Sequence, residues 1–412
     1  MRIVLVAAAR PNFMKVAPVL RALERRGAEV VLVHTGQHHD AQMSDAFFSE
    51  LDLRQPDHHL HCGGGSHAVQ TANVMMAFEP LLAELNPSAV VVCGDVNSTL
   101  ACALVAAKAS IPVAHVESGL RSRDRAMPEE VNRIAVDHLS DWLLTPSADA
   151  DENLEREGIT GPRVWRVGNV MVDSLLHNRR RAEDSDVLER LGVPAGGHAL
   201  LTLHRPSNVD VAPVLADLVG VALKIATERP VVFPVHPRTR QRLEEFGLLA
   251  ALEETPGIVL APPLGYLDCI RLQDTAHVVL TDSGGMQEET TVLGVPCLTL
   301  RESTERPVTV SEGTNTVVGT DPETILAAYR AVEPGTRSPS RPEGWDGMAA
   351  DRIAAVITTV QPPLAAERPG VPVLPADLDP ARSQAALLHD APHHLVPTQQ
   401  IQLEGDRQRV TA

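Results

Sequence analysis

Residues 278–307 read VVLTDSGGMQEETTVLGVPCLTLRESTERP, and the fold follows from this stretch. Val278 to Leu280 is a β-branched apolar run, the pattern of a buried strand. Thr281, Asp282, Ser283, Gly284 and Gly285 are expected to form a sharp turn. Met286 to Leu293 is predicted as a short helix, closed by Gly294 and by Pro296 two residues on. Cys297 to Leu300 is the next strand. A strand, glycine turn, helix and strand in succession form a unit that can hold an anion. The first backbone N–H groups of a helix lack internal partners, and the helix dipole adds positive charge there. Glycines let a phosphate reach the main chain, and Ser283 adds a hydroxyl donor. Glu288 and Glu289 lie about one turn inside the helix, where a carboxylate suits a sugar diol. Arg301 and Arg306 are placed to clamp anionic oxygens. Taken alone, Gly-Gly is equally an ordinary tight turn, and the glutamates also complement the dipole. The ordered run of acid, hydroxyl, glycines, acid and arginine points to a nucleotide diphosphate.

The chain around this unit alternates in the same way. Ile3 to Ala8 is predicted as a strand, Arg10-Pro11-Asn12 as a turn, Phe13 to Arg25 as a helix and Glu29 to Thr35 as a second strand. A βαβ opening makes a parallel sheet the default. It lacks the G-x-G-x-x-G fingerprint, so hydride chemistry with a bound dinucleotide is not expected from this turn. Arg10 falls at the carboxyl end of the first strand and Lys15 one turn into the helix, the edge where open parallel sheets bind ligands. Ser66 to Leu85 is a long predicted helix. The strands Ala89 to Cys93 and Val113 to Val116 run into Gly94-Asp95 and Glu117-Ser118-Gly119, and Pro128-Glu129-Glu130 opens another helix. Carboxylates at such places also cap helices. Three of them, Asp95, Glu117 and Glu129, together with Arg10 and Lys15 are harder to read as caps alone. Further strands are predicted at Leu143 to Pro146, Ala199 to Leu203, Val231 to Pro234 and Ile258 to Ala261. His204 follows one of them beside Arg205, where a histidine suits a phosphate contact or proton donation and equally a satisfied surface position; Val235-His236-Pro237 follows another. A last helix is expected from Met348 to Val360.

Composition narrows the function. At 412 residues there is room for two domains, and the formal net charge of −17 argues against nucleic acid or an anionic membrane surface as partner. Aromatic residues are only 3%, so the core must be built from Val, Leu, Ala and Ile. The cysteines at 62, 93, 102, 269 and 297 show no paired spacing, as expected of reduced thiols in the cytoplasm. The chain opens directly on a strand without a signal-peptide pattern, and no apolar run has the length of a membrane span. His58, His59 and His61 cluster but lack carboxylate or thiolate partners at useful spacing, so no metal is assigned. After residue 360 the character changes to eight prolines among mixed polar residues without periodicity. Residues 361–412 are expected to form a disordered tail.

The stretch T-D-S-G-G-x-Q-E-E, followed by L-G-x-P and T-E-R-P, resembles the signature of the non-hydrolysing UDP-N-acetylglucosamine 2-epimerases. Gly313 to Asn315 and Val318 to Asp321 continue it. Elsewhere Arg10-Pro11 with Lys15, Thr35-Gly36-Gln37-His38, Gly94-Asp95, His115-Val116-Glu117, Pro128-Glu129-Glu130 with Arg133, His204-Arg205 with Asn208, Val235-His236-Pro237 and Pro263-Leu264-Gly265-Tyr266 match its further words. Departures are Ala8 and Ala9 for a glycine and threonine, His39 for a frequent arginine, Ser207 for a glutamate and Cys269 for an aromatic. The resemblance covers roughly residues 1 to 360. It implies two Rossmann-like parallel-sheet domains, 1–170 and 171–360, facing across a cleft in the glycosyltransferase-B manner, with the last helix returning to the first domain. It implies a homodimer and no cofactor. Its mechanism removes the carbon 2 proton and expels UDP, giving a 2-acetamidoglucal to which UDP adds back. On this resemblance Asp95, Glu117 and Glu129 are base or relay candidates and His204 a proton donor. Arg10, Lys15, Arg133, His236, Tyr266, Ser283, Gly284, Gly285, Glu289 and Arg306 contact the substrate, with Glu289 on the ribose and Tyr266 near the uracil. Left open are a hydrolysing epimerase, an epimerase of a 2,3-diacetamido uronate, a glycosyltransferase of the same fold and an inactive nucleotide-sugar sensor.

Overall fold

The computed structural model describes residues 1–8, 10–36, 50–333, 335 and 339–362, with the side chains of Arg10 and Pro11 left aside. Gln37, His38 and His39 lie outside the described residues, as does the proline-rich segment from 363 onward.

Two wholly parallel sheets form the frame. The first holds β1 (Arg2–Ala7), β2 (Glu29–His34), β3 (His58–His59), β4 (Ala89–Cys93), β5 (Val113–Val116), β6 (Trp142–Thr145) and β7 (Val164–Arg166), in the order β3-β2-β1-β4-β5-β6-β7. The second holds β8 (Ala199–Thr202), β9 (Val231–Pro234), β10 (Ile258–Ala261), β11 (Val278–Thr281), β12 (Cys297–Thr299) and β13 (Asn315–Val317), in the order β10-β9-β8-β11-β12-β13. Helices cover both faces of such sheets, so central strands must be apolar on both sides. β4, AVVVC, is buried throughout, and its Val90 sits opposite Val4 of β1 and Val113 of β5. With few aromatics the sheets are filled by Val, Leu, Ala and Ile. The largest fully buried side chains are Trp142, Trp345, Phe13, Phe78 and Phe233. The edge strands β3 and β13 are too short for the alternation to have revealed them.

In each sheet the chain reverses its direction of winding once, between β1 and β4 and between β8 and β11. At such a point adjacent crossovers leave on opposite faces, so a crevice opens at the strands' carboxyl ends. The first crevice is flanked by the helix Arg10–Arg25 and by Gly94-Asp95, the second by His204 and by Asp282-Ser283-Gly284. The two parallel sheets are those expected from the alternation, and the architecture is the glycosyltransferase-B type that the resemblance implies.

Two expected turns are helical instead. Arg10-Pro11-Asn12 opens the helix Arg10–Arg25, and Gly284-Gly285 opens the helix Gly284–Leu293. Proline in a first helical turn costs nothing, because its missing N–H had no partner there. The helix Gly284–Leu293 ends as expected, at Gly294 in the left-handed conformation.

Helix Val170–Ala182 contributes Val170, Val172 and Leu175 to a core shared with Leu5 and Val91 of the first sheet and Leu200 and Val279 of the second. Helix Ala349–Thr359 adds Ile353, Ala354 and Ile357 to that core and packs on helix Arg10–Arg25, with Arg25 bonded to Asp351 at 2.7 Å. Its first N–H groups, from Ala349 and Ala350, donate to the buried carboxylate of Asp173 at 3.2 and 2.8 Å. Among the described residues no helix is long and apolar enough to cross a membrane.

Candidate active site

The centre of the site is Glu117, the residue after β5. Its φ is +70°, a left-handed backbone that a residue with a long side chain seldom adopts. Such strain persists where surrounding contacts hold it, and it gathers at functional positions. One carboxylate oxygen is bound by the Lys15 ammonium, and the other accepts from Arg306 Nη2 at 2.7 Å. Lys15 comes from the first crevice and Arg306 from the loop after β12. One carboxylate thus joins the strand ends of both sheets.

Arg306 is buried and surrounded by acids. Its Nε donates to Glu288 at 2.6 Å and its Nη1 to Glu305 at 2.6 Å. Burial works against the guanidinium charge, but Glu288, Glu305 and Glu117 more than offset it and hold the proton firmly. Glu305 also accepts from Arg301 Nη2 at 2.8 Å; burial favours its neutral form, yet Arg306 and Arg301 hold it ionised far below the usual carboxylate range. Glu288 is different. Burial pushes its carboxyl up to about 7 despite Arg306, and the nearby charge of Glu117 adds to the rise. Lys15 is likewise a balance: burial lowers its pKa, but Glu117 and Asp95 outweigh it and the net shift is upward.

Asp95 lies beside this group, its side chain about a quarter exposed. It accepts from Arg133 Nη2, and Arg133 is braced by Glu130 through a 2.7 Å bond to Nη1. Burial would raise the Asp95 carboxyl, but Arg133 and Lys15 hold it below its ordinary value. Asn132 Nδ2 fixes the Asp95 carbonyl at 2.8 Å, and Asn12 Nδ2 fixes that of Cys93 at 2.9 Å. Of the Glu129-Glu130 doublet, Glu129 is half-buried. Glu130 points inward, accepting also from the backbone N–H groups of Ser122 and Arg123 at 2.9 and 2.8 Å.

In the second crevice His204 is held by Asp282, with Nδ1 2.7 Å from Oδ1. Ser283 stands at the N-cap position of the helix whose first residues are Gly284 and Gly285, without a side-chain capping bond, so their N–H groups have no partner within the helix. A side chain at Gly284 would collide with the Arg306 guanidinium, so this glycine makes room for the arginine as well as for an anion. Tyr266 and Glu289, expected on the uracil and ribose, bond to one another: Tyr266 Oη donates to Glu289 Oε1 at 3.0 Å, and Gln273 donates to Oε2 at 2.7 Å. Burial raises both of their pKa values. His236 is exposed and caps the helix Pro237–Glu245, accepting from Arg238 N at 3.3 Å. Arg10 opens its helix at the first crevice.

Sequence reasoning did not single out Asp282, Glu130 and Glu305. Each adjoins a residue that it did select; for Glu305 the signal is the neighbouring Arg306, for Glu130 it is Arg133 three residues on along one helix, and for Asp282 the partner His204 is distant in sequence. The histidine cluster is used internally: His34 Nδ1 is 2.7 Å from His59 Nε2, and His59 Nδ1 accepts from His61 N at 3.1 Å. Among the described residues no group of three or more His, Cys, Asp or Glu side chains is disposed to hold a metal. Cys62, Cys93, Cys102 and Cys297 are buried free thiols, and burial pushes Cys93 up to about 12.

The family model described as UDP-N-acetylglucosamine 2-epimerase matches residues 21–358. The chain belongs to that family. It is an epimerase, of the isomerase class. The UDP-N-acetylglucosamine 2-epimerase of Methanocaldococcus jannaschii is 40% identical over 363 residues, 87% of this chain and 99% of the relative. A crystal structure of the enzyme from that organism, in complex with UDP-GlcNAc and UDP, superposes with a TM-score of 0.82 at 41% identity, covering 87% of this epimerase and 99% of the other chain. The UDP-2,3-diacetamido-2,3-dideoxy-D-glucuronate 2-epimerase of Pseudomonas aeruginosa is 39% identical over 359 residues, 86% of this chain and 98% of the relative.

Proposed function

We propose that this epimerase inverts carbon 2 of UDP-N-acetylglucosamine to give UDP-N-acetylmannosamine, by elimination and re-addition of UDP. The observation that carries the reading is Glu117, strained at the end of β5 and shared between Lys15 and Arg306 at the ends of facing sheets. The arrangement sets carboxylates beside cations where a sugar would meet its diphosphate. The relative crystallised with UDP-GlcNAc and UDP supports the same substrate.

In the first step a carboxylate of the set Asp95, Glu117 and Glu129 takes the carbon 2 proton. The C–H electron pair becomes the C1=C2 double bond of 2-acetamidoglucal, and the C1–O bond breaks with its electrons leaving on the diphosphate. Arg306, His204, Ser283, His236, Arg10 and the N–H groups of Gly284 and Gly285 stabilise that charge, while Glu289 and Tyr266 hold the nucleoside. In the return step a diphosphate oxygen adds to carbon 1, and a proton reaches carbon 2 from the opposite face. Atoms balance without a redox partner. The side chains of Lys15, Glu117 and Arg306 are largely out of water, which strengthens the ion pairs among them.

The protein is read as a cytoplasmic homodimer of domains 1–170 and 171–360. Its buried free thiols fit a reducing compartment. Val69, Met76 and Val131, exposed on the helices His67–Leu85 and Pro128–Leu139, supply an apolar surface for a second copy. Light scattering tests the dimer.

Proton NMR of UDP-N-acetylglucosamine in heavy water with the purified protein tests the reaction. The expected result is the manno isomer still joined to UDP, with deuterium at carbon 2. Free N-acetylmannosamine with UDP would replace this reading by hydrolysis, and retention of the carbon 2 proton in the manno product would overturn proton abstraction.

A further inference from the structure

The search outside the residues already given roles leads to Asp282. It is fully buried at the winding reversal of the second sheet, and the groups that reach its carboxylate among the described residues are donors. His204 Nδ1 lies 2.7 Å from Oδ1. The His204 backbone N–H reaches Oδ1 at 3.2 Å and Oδ2 at 3.0 Å. Arg205 N and Asn208 Nδ2 donate to Oδ2 at 3.0 and 3.2 Å. Asn208 is pinned in turn, donating to the Leu300 carbonyl at 2.9 Å. An ionised carboxylate only accepts, so Nδ1 must carry a hydrogen whether the ring is neutral or charged. Nε2 is then the nitrogen that meets a ligand, and the half-exposed ring gives it that opening.

We infer that Asp282 is a positioning residue: it keeps a hydrogen on Nδ1 of His204, so that the charged ring gives its Nε2 proton to the departing diphosphate, is left as the neutral Nδ1–H tautomer, and takes that proton back at Nε2 on re-addition. This rests on the proposed contact between His204 and the diphosphate. A histidine that merely bound phosphate would be served equally by the other tautomer, whose Nε2–H donates permanently. A buried carboxylate aimed at Nδ1 is the arrangement that lets Nε2 exchange a proton.

Asp282→Asn separates the two cases. Arg205 N and Asn208 Nδ2 keep the new amide oxygen on their side, so the amide NH2 faces the imidazole. Nδ1 must then accept, and the hydrogen moves to Nε2. The expected result is a kcat lower by about 100-fold or more, the scale of lost acid–base catalysis, with KM and UDP affinity unchanged. In a His204→Asn background the same substitution should cost nothing further. Equal losses in both backgrounds, or an unchanged kcat, would overturn the inference. A His204→Asn variant with normal kcat would instead overturn the role of His204 itself. A second measurement needs no variant: the 15N shifts of the His204 ring in selectively labelled native protein, at a pH where the ring is neutral, should show Nδ1 protonated and Nε2 bare. The reverse pattern would refute the lock even if Asp282→Asn does not fold.

Discussion

Gly284→Ala is the sharpest perturbation that the site offers. Gly284 is the first residue of its helix and its φ is ordinary, so the backbone accepts alanine. The added Cβ would nonetheless fall on Arg306 Nη1, with Glu305 Oε1 at 2.8 Å and Arg306 Cζ at 3.0 Å. Restoring normal contact requires the guanidinium to retreat by roughly 1 Å, which stretches bonds now at 2.6–2.7 Å beyond hydrogen-bonding range. Breaking a buried, hydrogen-bonded ion pair costs about 3–5 kcal/mol, and replacing a helical glycine by alanine returns up to about 1 kcal/mol. The net loss should be about 2–4 kcal/mol, with weakened UDP binding because Arg306 is a proposed diphosphate ligand. Gly285→Ala is the control. Its Cβ would meet only Met171 Cε, at an ordinary 3.6 Å, so its stability should stay within about 1 kcal/mol of the native protein. Urea unfolding of both variants and UDP titration calorimetry of Gly284→Ala make the comparison. A Gly284→Ala protein as stable as Gly285→Ala, with native UDP affinity, would refute the claim that this glycine exists to seat Arg306.

Asp95→Asn should leave UDP affinity largely intact and slow turnover by about 100-fold or more, and steady-state kinetics with native kcat would make Asp95 structural. Glu289→Ala removes the acceptor of Tyr266 and Gln273 and should weaken UDP binding, whereas unchanged affinity by calorimetry would remove Glu289 from the ribose role. Asp173 gives a pH signature. Burial raises its carboxyl from 3.8 to about 6, so the folded state holds the proton more tightly than the unfolded chain. Its stabilising contribution is therefore complete below about pH 4 and lost as pH rises through about 6, up to about 3 kcal/mol. Asp173→Asn should flatten the denaturation midpoint over that window, and a slope parallel to the native one would contradict the assignment.

The sequence made the strand ends legible because β4, β5, β8 and β11 are apolar runs stopped by a turn, and chemistry in parallel sheets gathers there. Asp95, Glu117, Lys15 and Arg306 were selected on that logic, and the structure brings them together. The helix starts at Arg10 and Gly284 were hidden, because proline and glycine punctuate turns as readily as they open helices. Which member of the Glu129-Glu130 doublet faces inward depends on how that helix is rotated against β5, a tertiary fact. Asp282 meets His204 across 78 residues of chain, and the positive φ of Glu117 belongs to backbone geometry that no residue type announces.

The helix Ala349–Thr359 covers the helix Arg10–Arg25, so one wall of the first sheet's core arrives near the end of the described chain. About 330 residues separate them, which at roughly 5–20 residues per second is on the order of 15 to 70 s of synthesis. During that interval the nascent first half presents an uncovered apolar surface, a substrate for chaperones. Chains released before residue 349 keep that surface for good and should be found with chaperones or in aggregates.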